Sequence, residues 1–234
     1  MGAITTQGIV LRHADLREND RMITLLTPSM GRVDALCRGC KRTNSPLMSC
    51  SEWFAFGEYV LFMGKGHATV TSCSLTESYY PLREDYESLR HATLMLKLCE
   101  ETVQPGQESL HLFTLLARSL GRLAYTARPR ETVTAGFLLH YAVISGYAPV
   151  LDQCVGCGRA VEDSTLFDAQ NGGVLCRECA SSVRFGFPIR KGQLEWLRRV
   201  RREGIDRYEK ADEEPPMELL IHYTEIKSEH RLRL

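Results

Sequence analysis

Two Cys-x-x-Cys pairs, Cys154-Val155-Gly156-Cys157 and Cys176-Arg177-Glu178-Cys179, constrain this chain more than any other feature. Each pair makes a tight turn that presents two thiolates, and eighteen residues between the pairs suffice to bring the turns face to face. The pattern predicts one zinc ion held by Cys154, Cys157, Cys176 and Cys179. Gly156 and Gly158 permit the turn geometry that N–H to sulfur contacts require, and Asn171-Gly172-Gly173 reads as the hairpin that returns the second pair to the first. Four thiolates fill the tetrahedron and leave no position for water, so the ion is structural and zinc hydrolysis is not expected.

The compartment follows from the same residues. Nine cysteines is an odd number, and Met1 to Gln7 has neither a basic nor an apolar signal region. Reduced thiols in a cytoplasm are the expectation. No run of about 18 apolar residues exists, so no membrane span is expected. A third pair, Cys37-Arg38-Gly39-Cys40, has the spacing of a thiol oxidoreductase, which would need the first thiol at a helix N-terminus. Here the pair follows a strand and runs into the polar loop Lys41-Arg42-Thr43-Asn44-Ser45-Pro46, so a packing role is expected instead. There is no phosphate-binding G-x-x-x-x-G-K-[ST] loop, G-x-S-x-G or H-E-x-x-H motif, and no enzymatic activity is expected.

The texture of the chain changes once. Residues 7–16, 22–27, 32–37, 54–63 and 68–76 alternate or are rich in β-branched and aromatic side chains, with turns at Pro28, Gly39 and Gly64-Lys65-Gly66. Five strands in about 80 residues predict a small closed barrel, for which the OB-fold is the commonest solution. Residues 85–103, 110–124 and 133–144 then show helical spacing and predict a three-helix bundle. The cysteine module, 152–182, and two further helices, 193–202 and 217–231, complete an α+β multidomain chain. The expected domains are 1–80, an OB-fold barrel, and 81–234, a helical domain with the zinc finger inserted at about 152–182.

Charge narrows the choice of partner. Lysine plus arginine equals aspartate plus glutamate at 29 each, so an anion-binding face must be local. Arg12, Arg17, Arg21, Arg32, Arg38, Lys41 and Arg42 all fall in the barrel segment. The loop that follows Arg38 combines cations with Thr43, Asn44 and Ser45, a set that suits a phosphate backbone and equally suits a solvated face. Arg198, Arg199, Arg201 and Arg202 follow Trp196 on a helix, placed either to bind DNA or to pair with Asp212-Glu213-Glu214. Trp53, Phe54, Phe56, Tyr59 and Phe62 are expected mainly in the barrel core, with one or two at most serving as base platforms.

Taken together, Glu18-Asn19-Asp20-Arg21-Met22-Ile23-Thr24-Leu25-Leu26-Thr27, Gly31-Arg32-Val33 and Arg38-Gly39-Cys40-Lys41-Arg42 resemble the barrel signature of the RecO family. Ser145-Gly146-Tyr147-Ala148-Pro149, leading to Leu151-Asp152-Gln153-Cys154, is similar to that family's entry to its zinc module, and 219–233 to its basic C-terminal helix. Cys40 stands where a small residue such as alanine is expected. The resemblance implies a recombination mediator that binds single- and double-stranded DNA and anneals complementary strands without ATP. It further implies cooperation with RecR, docking of the C-terminal tail of the single-stranded DNA-binding protein SSB, indirect help to the RecA filament, and a cytoplasmic, nucleoid-associated bacterial location. The DNA contacts expected are Arg12, Arg21, Arg32, Arg38, Lys41, Arg42, Arg198, Arg199 and Arg202. The competing classes are an OB-plus-zinc protein acting on RNA or in transcription, a thiol oxidoreductase, and a scaffold without nucleic-acid contact.

Overall fold

Strand alternation carries the first half of the chain. In the computed structural model, which describes residues 2–64, 66–163, 166–204 and 214–232, five strands appear: β1 (Ala3–Asp15), β2 (Arg21–Thr27), β3 (Gly31–Cys37), β4 (Phe56–Met63) and β5 (Ala68–Glu77). They close into a barrel in the order β1-β2-β3-β5-β4. β1 serves two partners: its first half runs antiparallel to β4, from Ala3↔Phe62 to Ile9↔Phe56, and its second half to β2. A bulge between Val10 and Arg12 lets one strand bend from one neighbour to the other. The seam between β3 and β5 is parallel and short, at Ala35↔Ala68 and Leu36↔Thr69.

The alternating side chains Val10, Ile23, Leu25, Val33, Tyr59, Leu61 and Val70 fill the barrel. β2 is buried on both faces from Ile23 to Thr27 because helices cover its outside, which explains why its sequence does not alternate. Those helices are α2 (Tyr86–Thr102) and α3 (Leu110–Tyr125), with the short α1 (Pro81–Glu84) packed against both. Asp85 caps α2 by accepting the Ser88 N–H at 2.8 Å. Gly31, at φ +64°, lets the β2–β3 turn meet the α2–α3 link. A Cβ there would stand 2.2 Å from the Gln104 carbonyl oxygen.

The chain divides into two compact units, Met1–Thr126 and Ala127–Leu234. The expected three-helix bundle is therefore corrected. α2 and α3 pack on the barrel, whereas α4 (Arg130–Ile144) belongs to the second unit and packs against α6 (Lys191–Glu203) and α7 (Met217–Ser228). The reason is that α4 buries Val133, Phe137, Leu138, Leu139 and Tyr141, an apolar surface too wide for one neighbour. Between α4 and α6 lie the hairpin β6 (Leu166–Asp168) and β7 (Gly173–Leu175), the short helix α5 (Arg177–Ala180), and β8 (Phe187–Pro188), which pairs with β6.

The last helix also differs from expectation. It was predicted to run to residue 231, but it ends at Ser228, where Glu229 turns left-handed at φ +62°. The Leu232 N–H then donates back to the Glu225 carboxylate at 2.8 Å, so Arg231 is not on the helix, and Arg233 lies outside the described residues. No helix among the described residues is long and apolar enough to cross a membrane.

Candidate metal centre and nucleic-acid surface

The four module cysteines converge as their spacing predicted. Their sulfur atoms all lie within 4.8 Å of one another, and Cys157 Sγ and Cys176 Sγ are 3.8 Å apart. A tetrahedron with metal–sulfur bonds of about 2.3 Å has edges of about 3.8 Å. The hairpin β6–β7 delivers the second pair, its turn passing through Gly172 at φ +74°. A Cβ at Gly156 would stand 3.2 Å from Cys179 Sγ, so the close approach of the two turns depends on that glycine.

The electrostatics fit a cation. Burial pushes the Cys154 thiol up, but the backbone N–H groups of Cys176, Cys157 and Gly156 outweigh it and bring it down to about 6. Cys157 is lowered by the Arg159 N–H and then by its guanidinium, which also pairs with Glu178 and so spans the two turns. Cys179, surrounded by the Cys176, Cys157 and Cys154 thiols, is pushed up to about 12. Four sulfurs this close cannot all be thiolates unless a positive ion sits among them. Arg159 escaped the sequence reading, which had no signal for a bridge between turns nineteen residues apart.

The sequence-predicted cations separate into bound and free. Arg12 pairs with Glu100 at 2.6 Å, and Arg32 donates to the Glu100 carbonyl at 2.8 Å. Arg21 pairs with Asp15 at 3.0 Å and Glu52 at 2.5 Å, and Lys41 holds Asp15 at 2.6 Å. These two cations keep the Asp15 carboxyl below its usual range, Lys41 more strongly. By contrast, the exposed Arg38 and Arg42 side chains have no ion pair or hydrogen bond among the described residues. Both line one cavity of about 670 Å³, with Thr43, Asn44, Thr71 and Ser72.

In the second unit the arginine cluster divides as well. Arg198 donates to the carbonyls of Leu151 (2.7 Å), Val161 and Glu162 (3.0 Å) and pairs with Asp152 at 3.1 Å. Arg201 donates to the Pro149 carbonyl at 3.0 Å and pairs with Asp152 at 2.6 Å. Arg199 is half-buried, with its Nε unpartnered, and Arg202 is exposed. Of the acidic residues expected opposite them, Glu214 pairs with Arg190, and Asp212 and Glu213 lie outside the described residues.

The aromatic side chains divide between the core and the surface. Phe54 and Tyr59 are fully buried, and the Tyr59 hydroxyl donates to the Cys50 carbonyl at 2.8 Å. Phe56 meets Phe113 edge to face, Trp53 stacks on His13, and Phe62 faces outward. Cys37 and Cys40 are both fully buried in the barrel core, and a turn, not a helix, follows them. Burial pushes the Cys37 thiol up to about 12. Iodoacetamide at neutral pH is therefore expected to alkylate these two cysteines of the native chain at least tenfold more slowly than those of the denatured chain. Equal rates by peptide mass spectrometry would return the pair to the oxidoreductase reading.

Comparison with known proteins spans nearly the whole chain. A family model described as Recombination protein O N terminal matches residues 1–79, and one described as Recombination protein O C terminal matches residues 83–233. The DNA repair protein RecO of Alkaliphilus metalliredigens is 34% identical over 186 residues, covering 80% of this chain and 76% of the relative. That of Acetivibrio thermocellus is 32% identical over 197 residues, covering 84% and 78%. That of Frankia casuarinae is 37% identical over 186 residues, covering 77% and 76%.

Proposed function

The chain belongs to the RecO family, and from that premise we propose that it is a DNA-binding recombination mediator in DNA repair. It anneals complementary single strands without ATP and helps RecA replace SSB on single-stranded DNA. The barrel is an OB-fold, residues 1–80 form the nucleic-acid-binding domain, and residues 81–234 supply the helices and the zinc finger, a sequence division close to that of the two family models, with α2 and α3 of the second part packed on the barrel. Cys154, Cys157, Cys176 and Cys179 hold one structural zinc. RecR and the C-terminal tail of SSB are its protein partners, in a bacterial cytoplasm.

One observation carries the DNA-binding reading: two unpaired guanidinium groups, Arg38 and Arg42, stand at one cavity walled by hydroxyl and amide side chains. Unpaired arginines are available to phosphate oxygens, and Thr43 and Asn44 add neutral hydrogen bonds. Lys41 and Arg21 share Asp15 and contribute less. Annealing needs no catalytic residue. Cations screen the repulsion between two strands, and base pairing supplies the free energy.

Replacing Arg38 and Arg42 together by alanine is expected to flatten the slope of log affinity against log salt for single strands by about 1.4, two phosphates at about 0.7 each. An unchanged slope would remove these residues from the contact. The function itself is tested by annealing two dye-labelled complementary strands without ATP, bare and then coated with cognate SSB. Acceleration in both states supports the mediator. Acceleration on bare strands alone supports a nucleic-acid binder without the SSB partnership, and none in either state rejects the proposal.

A further inference from the structure

The cavity at Arg38 and Arg42 does not end at Arg38. A second cavity of about 420 Å³ lies on the other side of that arginine, lined by Phe62, Gly64, His67, Thr69 and Thr71. Arg38 and Thr71 line both cavities, so the two adjoin as one track along the outer face of β5, with Phe62 of β4 at one end. Phe62 and Thr69 are directly paired in register at its far end.

Phe62 is the unusual residue on this face. The residue is 43% exposed on a barrel wall, and its ring has no aromatic or cationic partner among the described residues. Trp53, exposed to a similar degree, already stacks on His13 at 5.6 Å. The track thus offers a free aromatic face, an unpaired guanidinium beside it, and a second unpaired guanidinium beyond, with hydroxyl groups between. That sequence of groups matches a base, a phosphate and a further nucleotide of an unpaired strand. A duplex keeps its bases stacked on one another and has none to lay on Phe62. Glu58, exposed on the same outward face of β4, pairs with Ser74, one residue past the Ser72 and Cys73 that line the Arg42 cavity, and so puts a negative charge just beyond that end of the track.

We infer that this track binds one splayed segment of single-stranded DNA, with a base stacked on Phe62, the adjoining phosphate on Arg38, and the next nucleotide in the cavity at Arg42 and Asn44. The inference rests on the DNA-binding reading above and adds to it a base platform and a preference for unpaired strands. Arg38 and Arg42 supply salt-dependent affinity for any phosphate backbone, whereas Phe62 supplies affinity that only an unstacked base can use.

The test uses the full chain, an oligothymidine carrying one 2-aminopurine, and a duplex of equal length, with Phe62→Ala and Phe62→Trp variants. Because the Phe62 ring lies outside the barrel core, both variants are expected to melt as the parent does. Phe62→Ala is expected to weaken single-strand binding about tenfold, the stacking of one base. Duplex affinity and the single-strand salt slope should not change, and Phe62→Trp should restore affinity and deepen the 2-aminopurine quenching. Unchanged single-strand affinity in Phe62→Ala, or an equal loss on duplex, would overturn the platform while leaving DNA binding in place. A parent chain that binds neither DNA would overturn the DNA-binding reading and this inference together.

Discussion

Replacing Cys176 by serine is expected to reduce bound zinc from one ion per chain to almost none and to destabilise the second unit by ~3 kcal/mol or more. That loss is modest beside the ~10–16 kcal/mol that zinc supplies to isolated finger peptides. The module has little else to hold it. β6 and β7 are three residues each, and their buried side chains are chiefly Phe167, Val174 and Leu175. A hairpin of that size does not fold by itself. The damage should spread to α7, because Phe167 packs edge to face on Tyr223, and Lys227 donates to the Gln170 carbonyl at 2.8 Å. The barrel and its helices form a separate compact unit and should melt as before. Metal analysis together with calorimetry decides the matter. Normal zinc content and an unshifted second-unit transition in the serine variant would sink the structural-zinc reading.

What was legible in the sequence depended on how far apart the determining residues lie. The convergence of the four cysteines was legible because turn geometry is local and two Cys-x-x-Cys pairs at that spacing admit few other arrangements. β2 to β5 begin and end within two residues of expectation, since turns and β-branched runs mark them. β1 was expected at 7–16, yet it begins at Ala3, because residues 3–6 become strand only by pairing with β4. The helices were found, but their grouping was not: which apolar face meets which is decided in three dimensions. The cations were hardest to sort. Nothing local tells that Arg12 and Arg32 will meet Glu100, whereas Arg38 and Arg42 will meet no acid among the described residues. Phe62 was expected with the other barrel aromatics mainly in the core, yet it faces outward. It stands an odd number of positions from buried Tyr59 on the same strand, so strand parity alone puts it on the opposite face.

Arg198→Ala is expected to destabilise the second unit by about 2–4 kcal/mol while leaving the salt dependence of DNA binding unchanged. A surface arginine on an exposed helix would cost little, within about 0.5 kcal/mol, and that is the expectation for Arg202→Ala. Arg198 differs because its guanidinium fork is already occupied. Three carbonyls, from Leu151, Val161 and Glu162, and the Asp152 carboxylate use it to fasten both flanks of the first cysteine pair to α6. Hydrogen bonds to a charged donor contribute about 1.5–3 kcal/mol each, and removing the donor leaves partly buried acceptors without a partner. Arg201 grips Pro149 and Asp152 beside it and limits the loss, so the two substitutions together should cost more than their sum. The pair of readouts separates the two roles that the sequence left open for this cluster. A drop in melting with an unaltered salt slope makes Arg198 the strut between the cysteine module and the helix. Unaltered melting with a slope reduced by about 0.7 would instead make it a phosphate contact. The second result would require the fork to leave four acceptors before it could reach DNA, which is why the first is expected.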